Sequence, residues 1–266
     1  MIFDEIIIVR GGGDLATGVI HKLVRSGFKV IVLETKLPTA IRRSVSFCEA
    51  VYNGQAEVEG ICCVKVNHYE EALDVLKKGH VPLLIDAEGS CIAEIKPIAV
   101  IDAIIAKKNI GTHREMAPIT IGLGPGFEAG VDVDYVIETS RGHNLGRIIE
   151  KGMAKPNTGI PGLINGYGKE RVIHAPVSGK FHGVKGISDL TKEGEIIAYV
   201  GNQPICATLT GVIRGMIREG YQVEEGLKII DIDPRENEKN NCFTISDKAR
   251  CIAGGVMEAV LLGWKK

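Results

Sequence analysis

The sequence contains few aromatic residues and no excess of charge, and both features limit what the protein can bind. Aromatic residues make up 5% of the 266 residues, and 32 basic residues face 33 acidic ones. Nothing in this charge balance suggests a nucleic-acid-binding surface, so we expect no nucleic-acid partner. No apolar run approaches the roughly 20 residues that span a bilayer, and the N-terminus lacks the basic region of a secretory signal. We therefore expect a cytoplasmic protein with no membrane partner.

Motifs that would identify a metal or a reaction are also missing. The seven cysteines form no CxxC pair and have no histidine at metal-ligand spacing, so the sequence predicts no metal site. In a reducing compartment they are expected to be free thiols. Cys48, Cys91 and Cys206 are the candidates for a thiol that transfers selenium or sulfur. No Ser-His-Asp spacing or paired-carboxylate motif stands out, so the catalytic residues are left unassigned and enzymatic activity stays open.

Residues 5–34 have the order of a mononucleotide-binding βαβ unit. An apolar run leads into three consecutive glycines, and a second apolar run ends at Glu34. Gly11 would allow a tight turn, Gly13 would let the main chain approach a pyrophosphate, and Ala16 would let the helix pack closely on the sheet. Glu34, 21 positions after Gly13 (34 − 13), would accept a hydrogen bond from a ribose hydroxyl. The pattern predicts a diphosphate at the start of the helix, and glycines packed away from any open space would contradict it.

Further candidate residues follow later strands, because ligands of open α/β sheets bind where the strands end. A second glycine run could present N–H groups to an anion, but it lacks the Lys-Ser/Thr of a Walker loop. Arg141 would clamp a phosphate or form a surface ion pair, and His143 would transfer a proton or only stabilise its loop. The predicted cofactor-binding residues are Gly11, Gly12, Gly13, Asp14, Thr17, Glu34, Arg42, Arg43, Asp86, Gly122, Gly124, Gly126, Glu138, Arg141 and His143.

The remaining pattern predicts a Rossmann-like, mostly parallel sheet with helices on both faces, followed by a small all-β module and a C-terminal helix. Further strands are expected at 61–66, 81–86, 116–123 and 133–138. Further helices are expected at 40–49, at 68–78 and from about Asp102. The predicted domains are 1–168 for nucleotide binding, 169–235 for the module, and 236–266 for a spacer and a helix, capped by Ser246, that docks on the first domain.

An internal repeat defines the all-β module. Residues 175–179 (APVSG) match residues 207–211 (ATLTG) at an offset of 32 positions (207 − 175). Short strands duplicated at this spacing are typical of a barrel-sandwich hybrid of the biotinyl/lipoyl type. Carriers of this type attach biotin or lipoate to a lysine in the hairpin between the two halves. Here that region, residues 200–206, contains no lysine, so we expect neither group to be attached.

Five motifs together resemble the YqeB family, the accessory proteins of the selenium-dependent molybdenum hydroxylase system. They are VRGGGDLATG (9–18), PTAIRR (38–43), GLGPGF (122–127), IETSRGH (137–143) and KIIDIDPR (228–235). The resemblance implies a cytoplasmic maturation factor that helps to build or insert the molybdenum cofactor of a client hydroxylase. It extends more distantly to the XdhC-type chaperones, which are thought to hold molybdopterin-based cofactors for transfer.

The identity of the ligand stays open at this point. A molybdopterin dinucleotide contains a pyrophosphate, so the glycine loops fit it as well as they fit NAD(P). The alternatives to a maturation factor are an NAD(P)-dependent oxidoreductase and cysteine-dependent transfer of selenium or sulfur. Glu34 favours NAD over NADP, because a carboxylate repels a 2′-phosphate. The client hydroxylase is the expected partner, and the sequence leaves the oligomeric state, including a homo-oligomer, open.

Overall fold

The chain forms two structural units, and each is built from separate stretches of sequence. The computed structural model of the protein describes residues 4–159 and 161–265. Unit 1 contains the residues up to Pro38, Ser46–Asn157 and the residues from Ile245 onward, whereas unit 2 contains Thr39–Val45 and Thr158–Thr244. The domain borders expected after residues 168 and 235 both fall inside unit 2.

Unit 1 is an α/β unit with a large, mostly parallel sheet. Its strands are β1 Ile6–Arg10, β2 Lys29–Glu34, β3 Gln55–Val58, β4 Ile61–Val66, β5 Val81–Ile85, β6 Ala99–Asp102, β7 Ile119–Leu123, β8 Glu128–Ala129, β9 Tyr135–Ile137, β10 Ile148–Ile149 and β11 Gly152–Met153. Its helices are α1 Asp14–Arg25, α2 Ala50–Asn53, α3 Tyr69–Lys77, α4 Ile92–Ile95 and α5 Asp247–Trp264. No helix within the described residues combines the length and the apolar character needed to cross a bilayer.

The nine-stranded sheet changes direction at its first strand. The strand order is β10-β9-β7-β6-β1-β2-β5-β4-β3, and neighbouring strands are parallel except for the pairs β3–β4 and β9–β10. The chain adds β2 and later β5 on one side of β1, then crosses over and adds β6, β7 and β9 on the other side. Ligands of open α/β sheets bind at such a switch point, beyond the ends of the strands. We call this side of the sheet the carboxyl edge.

The predicted βαβ unit is confirmed. The chain runs from β1 through α1 into β2, and β1 pairs with β2 in parallel. Helix α1 buries Ala16, Val19, Ile20 and Leu23, whose spacing of three and four residues places them on one face. Each fully buried large aliphatic side chain contributes about 1.5–3 kcal/mol. Strands β4, β5, β7 and β9 and helix α3 also overlap their predicted ranges.

The prediction of a helix at 40–49 is wrong. Residues 43–45 and 47–49 form short 3-10 turns, and α2 begins only at Ala50. The N–H of Phe47 donates to Thr17 Oγ1 (2.9 Å), and the N–H of Cys48 donates to the Gly12 carbonyl oxygen (2.8 Å). These donors therefore bind the glycine turn and α1 instead of continuing an α-helix.

The prediction of a helix from Asp102 is also wrong. Asp102 ends strand β6, and residues 103–111, all of which are described, contain no helix. Ile105 and Lys107 have φ angles of +61° and +63°. These left-handed conformations interrupt a right-handed helix and are unfavourable for a β-branched residue such as Ile105.

The C-terminal helix α5 packs against α1. Its predicted cap is confirmed, because Ser246 Oγ accepts a hydrogen bond from the Ala249 N–H at 3.2 Å. A Cβ on Gly18 of α1 would lie 2.7 Å from the Ala249 Cβ, so glycine permits this close approach. At the far end of α5, the rings of Trp264 and Phe28 lie 5.7 Å apart. The two helices therefore run side by side in the same direction.

Unit 2 contains two antiparallel four-stranded sheets. Its strands are β12 Val172–His174, β13 Gly179–Gly183, β14 Leu190–Thr191, β15 Ile196–Val200, β16 Gln203–Cys206, β17 Gly211–Met216, β18 Gln222–Val223 and β19 Lys228–Asp233. The sheets have the orders β12-β19-β17-β14 and β16-β15-β13-β18. The predicted repeat is confirmed, since the last three strands of each half start 32 residues apart (211 − 179, 222 − 190, 228 − 196). Each sheet contains two strands from each half.

A buried carboxylate connects the strands of unit 2 to two arginines. Asp233, which is 2% exposed, accepts hydrogen bonds from Arg214 at 2.7 Å and from Arg235 at 2.7 and 2.9 Å. Burial raises the pKa of Asp233, but the arginines outweigh it and lower the pKa to about 2. The ion pairs of Asp233 with the two arginines therefore stabilise the folded state whenever the carboxylate is ionised.

Because of these ion pairs of Asp233, we expect the folded protein to lose stability in acid. Because the folded pKa lies below the unfolded one, its contribution is present above about pH 4 and is lost as the pH falls toward the folded value. We expect unit 2 to lose about 2 kcal/mol between about pH 5 and pH 2 through Asp233, at about 1.4 kcal/mol per pKa unit. Urea unfolding by near-UV circular dichroism should show this slope for the wild type and for Glu193→Gln, a control at an exposed site. An equal slope in Asp233→Asn would contradict the assignment.

Candidate functional site

The first two residues of the glycine turn, Gly11 and Gly12, serve close packing and main-chain hydrogen bonding within unit 1. Gly11 has a φ angle of +96°, which glycine adopts readily, and its N–H donates to the Leu33 carbonyl oxygen at 2.7 Å. A Cβ on Gly11 would lie 3.1 Å from the main chain of Ala103 and Ile104. Gly11 therefore lets the chain that follows β6 pass directly over the turn.

Gly12 is buried, and its polar groups have partners within unit 1. Its N–H donates to Glu34 Oε2 at 2.7 Å. Its carbonyl oxygen accepts from the Cys48 N–H and from Thr17 Oγ1, at 2.8 and 3.2 Å. A Cβ on Gly12 would lie 2.8 Å from the Cys48 nitrogen. The N–H that the sequence assigned to a phosphate is therefore directed at the carboxylate of Glu34.

Glu34 closes one side of the glycine turn. Its other oxygen, Oε1, accepts the N–H of Thr35 at 2.7 Å. Burial raises the pKa of Glu34, and the hydrogen bonds from Thr35 and Gly12 oppose this shift only in part. Each carboxylate oxygen can accept a second hydrogen bond, so contact with a ribose hydroxyl stays a prediction.

Gly13 is the part of the turn that faces open space. Apart from Gly13 and its two chain neighbours, no heavy atom of the described residues lies within 4 Å of the position that a Cβ on Gly13 would occupy. Gly13 is the N-cap of α1, and Asp14 begins the helix. The first turn of a helix directs N–H groups and the positive end of the helix dipole outward. Room for an anion within this loop is therefore found at Gly13, whereas Gly11 and Gly12 are packed.

The switch point of the sheet contains a buried arginine that the sequence analysis did not single out. Arg10 ends β1 beside Asp102, which ends β6, and each of the two side chains is 2% exposed. Arg10 donates to Thr112 Oγ1 and to the Ala87 carbonyl oxygen (2.8 Å), and its Nη1 lies 3.8 Å from Asp102 Oδ2. Arg10 Nε has no hydrogen-bond partner among the described residues. Arg10 could have been noticed in the sequence, because it is a charged residue at the end of an apolar strand.

Asp102 is held by the same network. Its Oδ2 accepts from Thr112 Oγ1 at 2.6 Å, and its Oδ1 accepts from the Ile104 N–H at 3.1 Å. Burial raises the pKa of Asp102, while Thr112, Ile104 and Arg10 lower it by less. The network connects β1 and β6 to the loops that follow β5 and β6, so it shapes the floor of the carboxyl edge.

The second glycine run allows close packing. A Cβ on Gly122 would lie 2.5 Å from the Phe127 ring, and a Cβ on Gly124 would overlap Thr139 Oγ1. Gly126 approaches the main chain of Lys108, where a Cβ would lie 2.6 Å away. The N–H of Gly124 donates to the Ile137 carbonyl oxygen at 2.9 Å. Close packing explains these three glycines, and a contact between this loop and a ligand stays a prediction.

The residues after β9 connect this loop to helix α5. Glu138 is buried, and its carboxylate accepts the N–H groups of Ser140 and Lys155 at 2.7 and 2.9 Å. Arg141 binds Asp247 at the start of α5 through two hydrogen bonds of 2.9 and 3.0 Å. Arg141 thus forms the surface ion pair that was its alternative role. His143 lies in the same exposed turn.

Asp86, at the end of β5, organises the adjacent turn. Its carboxylate accepts the N–H groups of Gly89, Ser90 and Cys91 at 2.9 to 3.0 Å. A surface cleft of about 440 Å³ lies beside it. Burial, with Asp86 adding to it, raises the pKa of Cys91 to about 12, and burial raises the pKa of Cys48 well above its ordinary value. Both thiols are therefore protonated at neutral pH.

Arg42 and Arg43 belong to unit 2. Arg42 donates to the carbonyl oxygens of Asn241 and Thr244 at 3.0 and 3.2 Å. Arg43 donates to the Met216 carbonyl oxygen at 2.7 Å. Within the described residues, no three His, Cys, Asp or Glu side chains are placed to hold a metal ion.

These observations define an α/β protein with a glycine turn and an open helix start at the switch point of a mostly parallel sheet. The chain is 46% identical over 258 residues to the Escherichia coli (strain K12) protein named "Uncharacterized protein YqeB". The match covers 97% of this chain and 48% of that protein, so the chain spans about half the length of its relative. This likeness supports the predicted resemblance to the YqeB family over the matched part of the chain. A search of protein-family models found no match.

Three solved structures have a distant likeness to this chain. An aspartoacylase family protein from Mesorhizobium loti is 11% identical, with 86% of this chain and 84% of that chain covered and a TM-score of 0.27. The ectoine utilization protein EutE from Ruegeria pomeroyi is 7% identical, with 85% of each chain covered and a TM-score of 0.26. A succinylglutamate desuccinylase from Silicibacter sp. TM1040 is 10% identical, with 86% and 84% covered and a TM-score of 0.27. Scores this low support no statement about fold or activity.

Proposed function

We propose that this chain is an accessory protein for maturation of a selenium-dependent molybdenum hydroxylase, and that unit 1 binds a molybdopterin-type dinucleotide at its carboxyl edge. The open start of α1 at Gly13, next to the switch point between β1 and β6, is the observation that carries the binding role. The maturation role and the client hydroxylase follow from the resemblance to the YqeB family.

The binding mode that we propose differs from the one expected from the glycines alone. The Glu34 carboxylate holds the Gly12 N–H, so the diphosphate would contact Gly13 and the first turn of α1. Glu34 would then accept a ribose hydroxyl with its remaining acceptor capacity. The same position suits NAD, so an NAD-dependent oxidoreductase is the second candidate. We do not extend the proposal to thiol transfer by Cys48 or Cys91, because the raised pKa of each thiol disfavours the reactive thiolate.

For unit 2 we propose a barrel-sandwich hybrid fold. Its two sheets exchange strands between halves that repeat at 32 residues (211 − 179), which supports this arrangement. The turn between β15 and β16 contains Gly201 and Asn202 and no lysine, so the proposal includes no swinging cofactor arm.

Substitution of Gly13 tests the binding site directly. Gly13 has φ and ψ angles of −66° and −178°, which other residues also adopt, and both Asp and Ser are favourable N-caps. We expect Gly13→Asp to weaken binding of a molybdopterin dinucleotide at least tenfold, about 1.4 kcal/mol, because its carboxylate repels the diphosphate. Gly13→Ser, the matched neutral control, should stay closer to the wild type.

Calorimetry and thermal shifts with molybdopterin cytosine dinucleotide, NAD⁺ and NADP⁺ would measure these affinities. A ligand at 100 times its Kd should raise the unfolding free energy of the wild type by about 2.7 kcal/mol. Binding of NAD⁺ together with oxidation of NADH would favour the second candidate. If the wild type bound none of the three ligands, the proposed binding role would be wrong. Equal affinities for Gly13→Asp and wild type would place the ligand elsewhere.

A further inference from the structure

A buried histidine lies at the contact between α1 and α5. His21 is 5% exposed and lies three residues after Gly18, so it shares the face of α1 on which Ala249 of α5 packs. Its Nε2 is buried and has no hydrogen-bond partner among the described residues. Glu59 Oε2 lies 3.6 Å from this nitrogen. A ring this deeply buried is hard to charge, because water does not reach the imidazolium.

Glu59 connects His21 to the start of α5. It lies in the two-residue turn between β3 and β4, and its Oε1 accepts the N–H of Ile245 at 2.8 Å. Arg250, in the first turn of α5, donates to both carboxylate oxygens at 2.6 and 2.8 Å. Burial raises the pKa of Glu59, but the hydrogen bonds from Ile245 and Arg250 outweigh it and lower the pKa. The carboxylate is therefore ionised near neutral pH and holds the first turn of α5.

The turn that presents Glu59 departs from the usual residue preference. Glu59 and Gly60 have φ angles of +47° and +80°, and two-residue turns with positive φ at both positions favour Asn-Gly or Asp-Gly. A residue other than glycine persists in such a conformation when the surrounding structure supports it, and it often marks a functional position. The longer side chain of glutamate reaches Ile245 and Arg250 from this turn, which accounts for its presence.

Protonation of His21 would add a second cation to this cluster. Arg250 already pairs with Glu59, and Arg25 lies on α1 four residues after His21. Burial lowers the pKa of His21, the carboxylate and main chain of Glu59 raise it by less, and Arg250 and Arg25 lower it further. The docked pair of helices therefore disfavours the imidazolium, whereas water would stabilise it once α5 had detached.

We propose that His21, Glu59 and Arg250 form a pH-sensitive latch, which holds α5 on α1 at neutral pH and releases it in acid. When α5 detaches, water reaches His21, which then binds a proton at its ordinary pKa of about 6.5. Because the docked pKa lies below this value, the detached form binds more protons once the pH falls below about 6.5. Docking is therefore most stable above about pH 7 and weakens as the pH falls toward the docked pKa. Release uncovers the surface of α1 around Gly18.

Hydrogen–deuterium exchange of the whole chain measures this release. The exchange of the α5 amides, corrected for the intrinsic rate at each pH, gives the equilibrium constant for opening of the helix. From about pH 7.5 to about pH 5.5 we expect this constant to rise by up to tenfold in the wild type, the effect of one pH unit below the pKa of the detached histidine. The amides of β1 should open less often than those of α5 at each pH, because release leaves the sheet intact.

Two variants and one titration decide whether His21 is the sensor. His21→Gln is uncharged at every pH, so its α5 opening constant should hardly change, whereas His80→Gln, at an exposed site of unit 1, should respond as the wild type does. An equal rise in His21→Gln and wild type would overturn the latch. So would identical opening constants for α5 and β1, because α5 would then be released only by global unfolding. In the wild type itself, NMR should show His21 titrating below its ordinary pKa, and a value of about 6.5 or higher would also overturn the latch.

Discussion

Alanine at Gly255 is expected to destabilise unit 1 by about 3 kcal/mol, whereas alanine at the neighbouring Gly254 is expected to stabilise it. A Cβ on Gly255 would overlap the main-chain carbonyl oxygen of Gly146 and lie 3.2 Å from the Ile137 side chain. Because a main-chain oxygen cannot rotate away, α5 would have to shift. Outside the main chain of α5 itself and the residues next to Gly254, no heavy atom that the structure describes lies within 4 Å of a Cβ on Gly254. Alanine there brings only its better helix propensity, about 0.5–1 kcal/mol.

The two glycines form a matched pair in one helix. Trp264, the single tryptophan of the chain, lies on α5 against Phe28, so its fluorescence during urea unfolding reports whether the helix is docked. Gly255→Ala should move the midpoint to lower urea and Gly254→Ala to higher urea. Similar midpoints for the two variants would show that α5 does not depend on the close approach at Gly146.

Removal of the buried charge at Arg10 should have a comparable effect. Arg10→Met takes away the guanidinium that faces Asp102, and the carboxylate then stays buried with only Thr112 and the Ile104 N–H as donors. Breaking a buried ion pair from one side costs about 3–5 kcal/mol, because the remaining charge is desolvated and uncompensated. We expect a loss of this size in urea unfolding.

Arg114 supplies the control for this substitution. It forms an ion pair with Asp134 at 2.8 Å, but its side chain is 50% exposed. Arg114→Met should cost less than about 1 kcal/mol, since water screens such pairs. Equal losses for the two variants would mean that the Arg10 network contributes little to stability.

The sequence predicted the elements that have strong local patterns. The βαβ unit, α3 and the Ser246 cap each depend on residues close together in the chain, so periodicity and capping were sufficient. The segment 40–49 also looked helical, but its donors are bound by Gly12 and Thr17, which no local pattern records. The apolar residues after Asp102 had the same ambiguity, and their path over Gly11 decided it.

The strand pattern predicted where the residues of the candidate site lie in the sheet, but not which hydrogen bonds they make. Parallel strands bring their ends to one edge, so the positions of Glu34, Asp86 and Glu138 followed from the strand pattern. Which N–H groups are occupied depends on side-chain directions, as the bond from Gly12 to Glu34 illustrates. Arg141 binds Asp247, 106 positions further along the chain (247 − 141), and a single sequence gives no sign that the two are neighbours.

The order of synthesis gives the discontinuous unit 1 a particular difficulty. The ribosome releases all of the sheet of unit 1 before Thr158, then makes most of unit 2, and only afterwards delivers α5. Until then the surface of α1 around Gly18 lacks its covering helix, so the nascent chain exposes it for the whole of that interval. Translation speed through the intervening segment, and chaperones that shield this surface, should therefore influence the yield of folded protein.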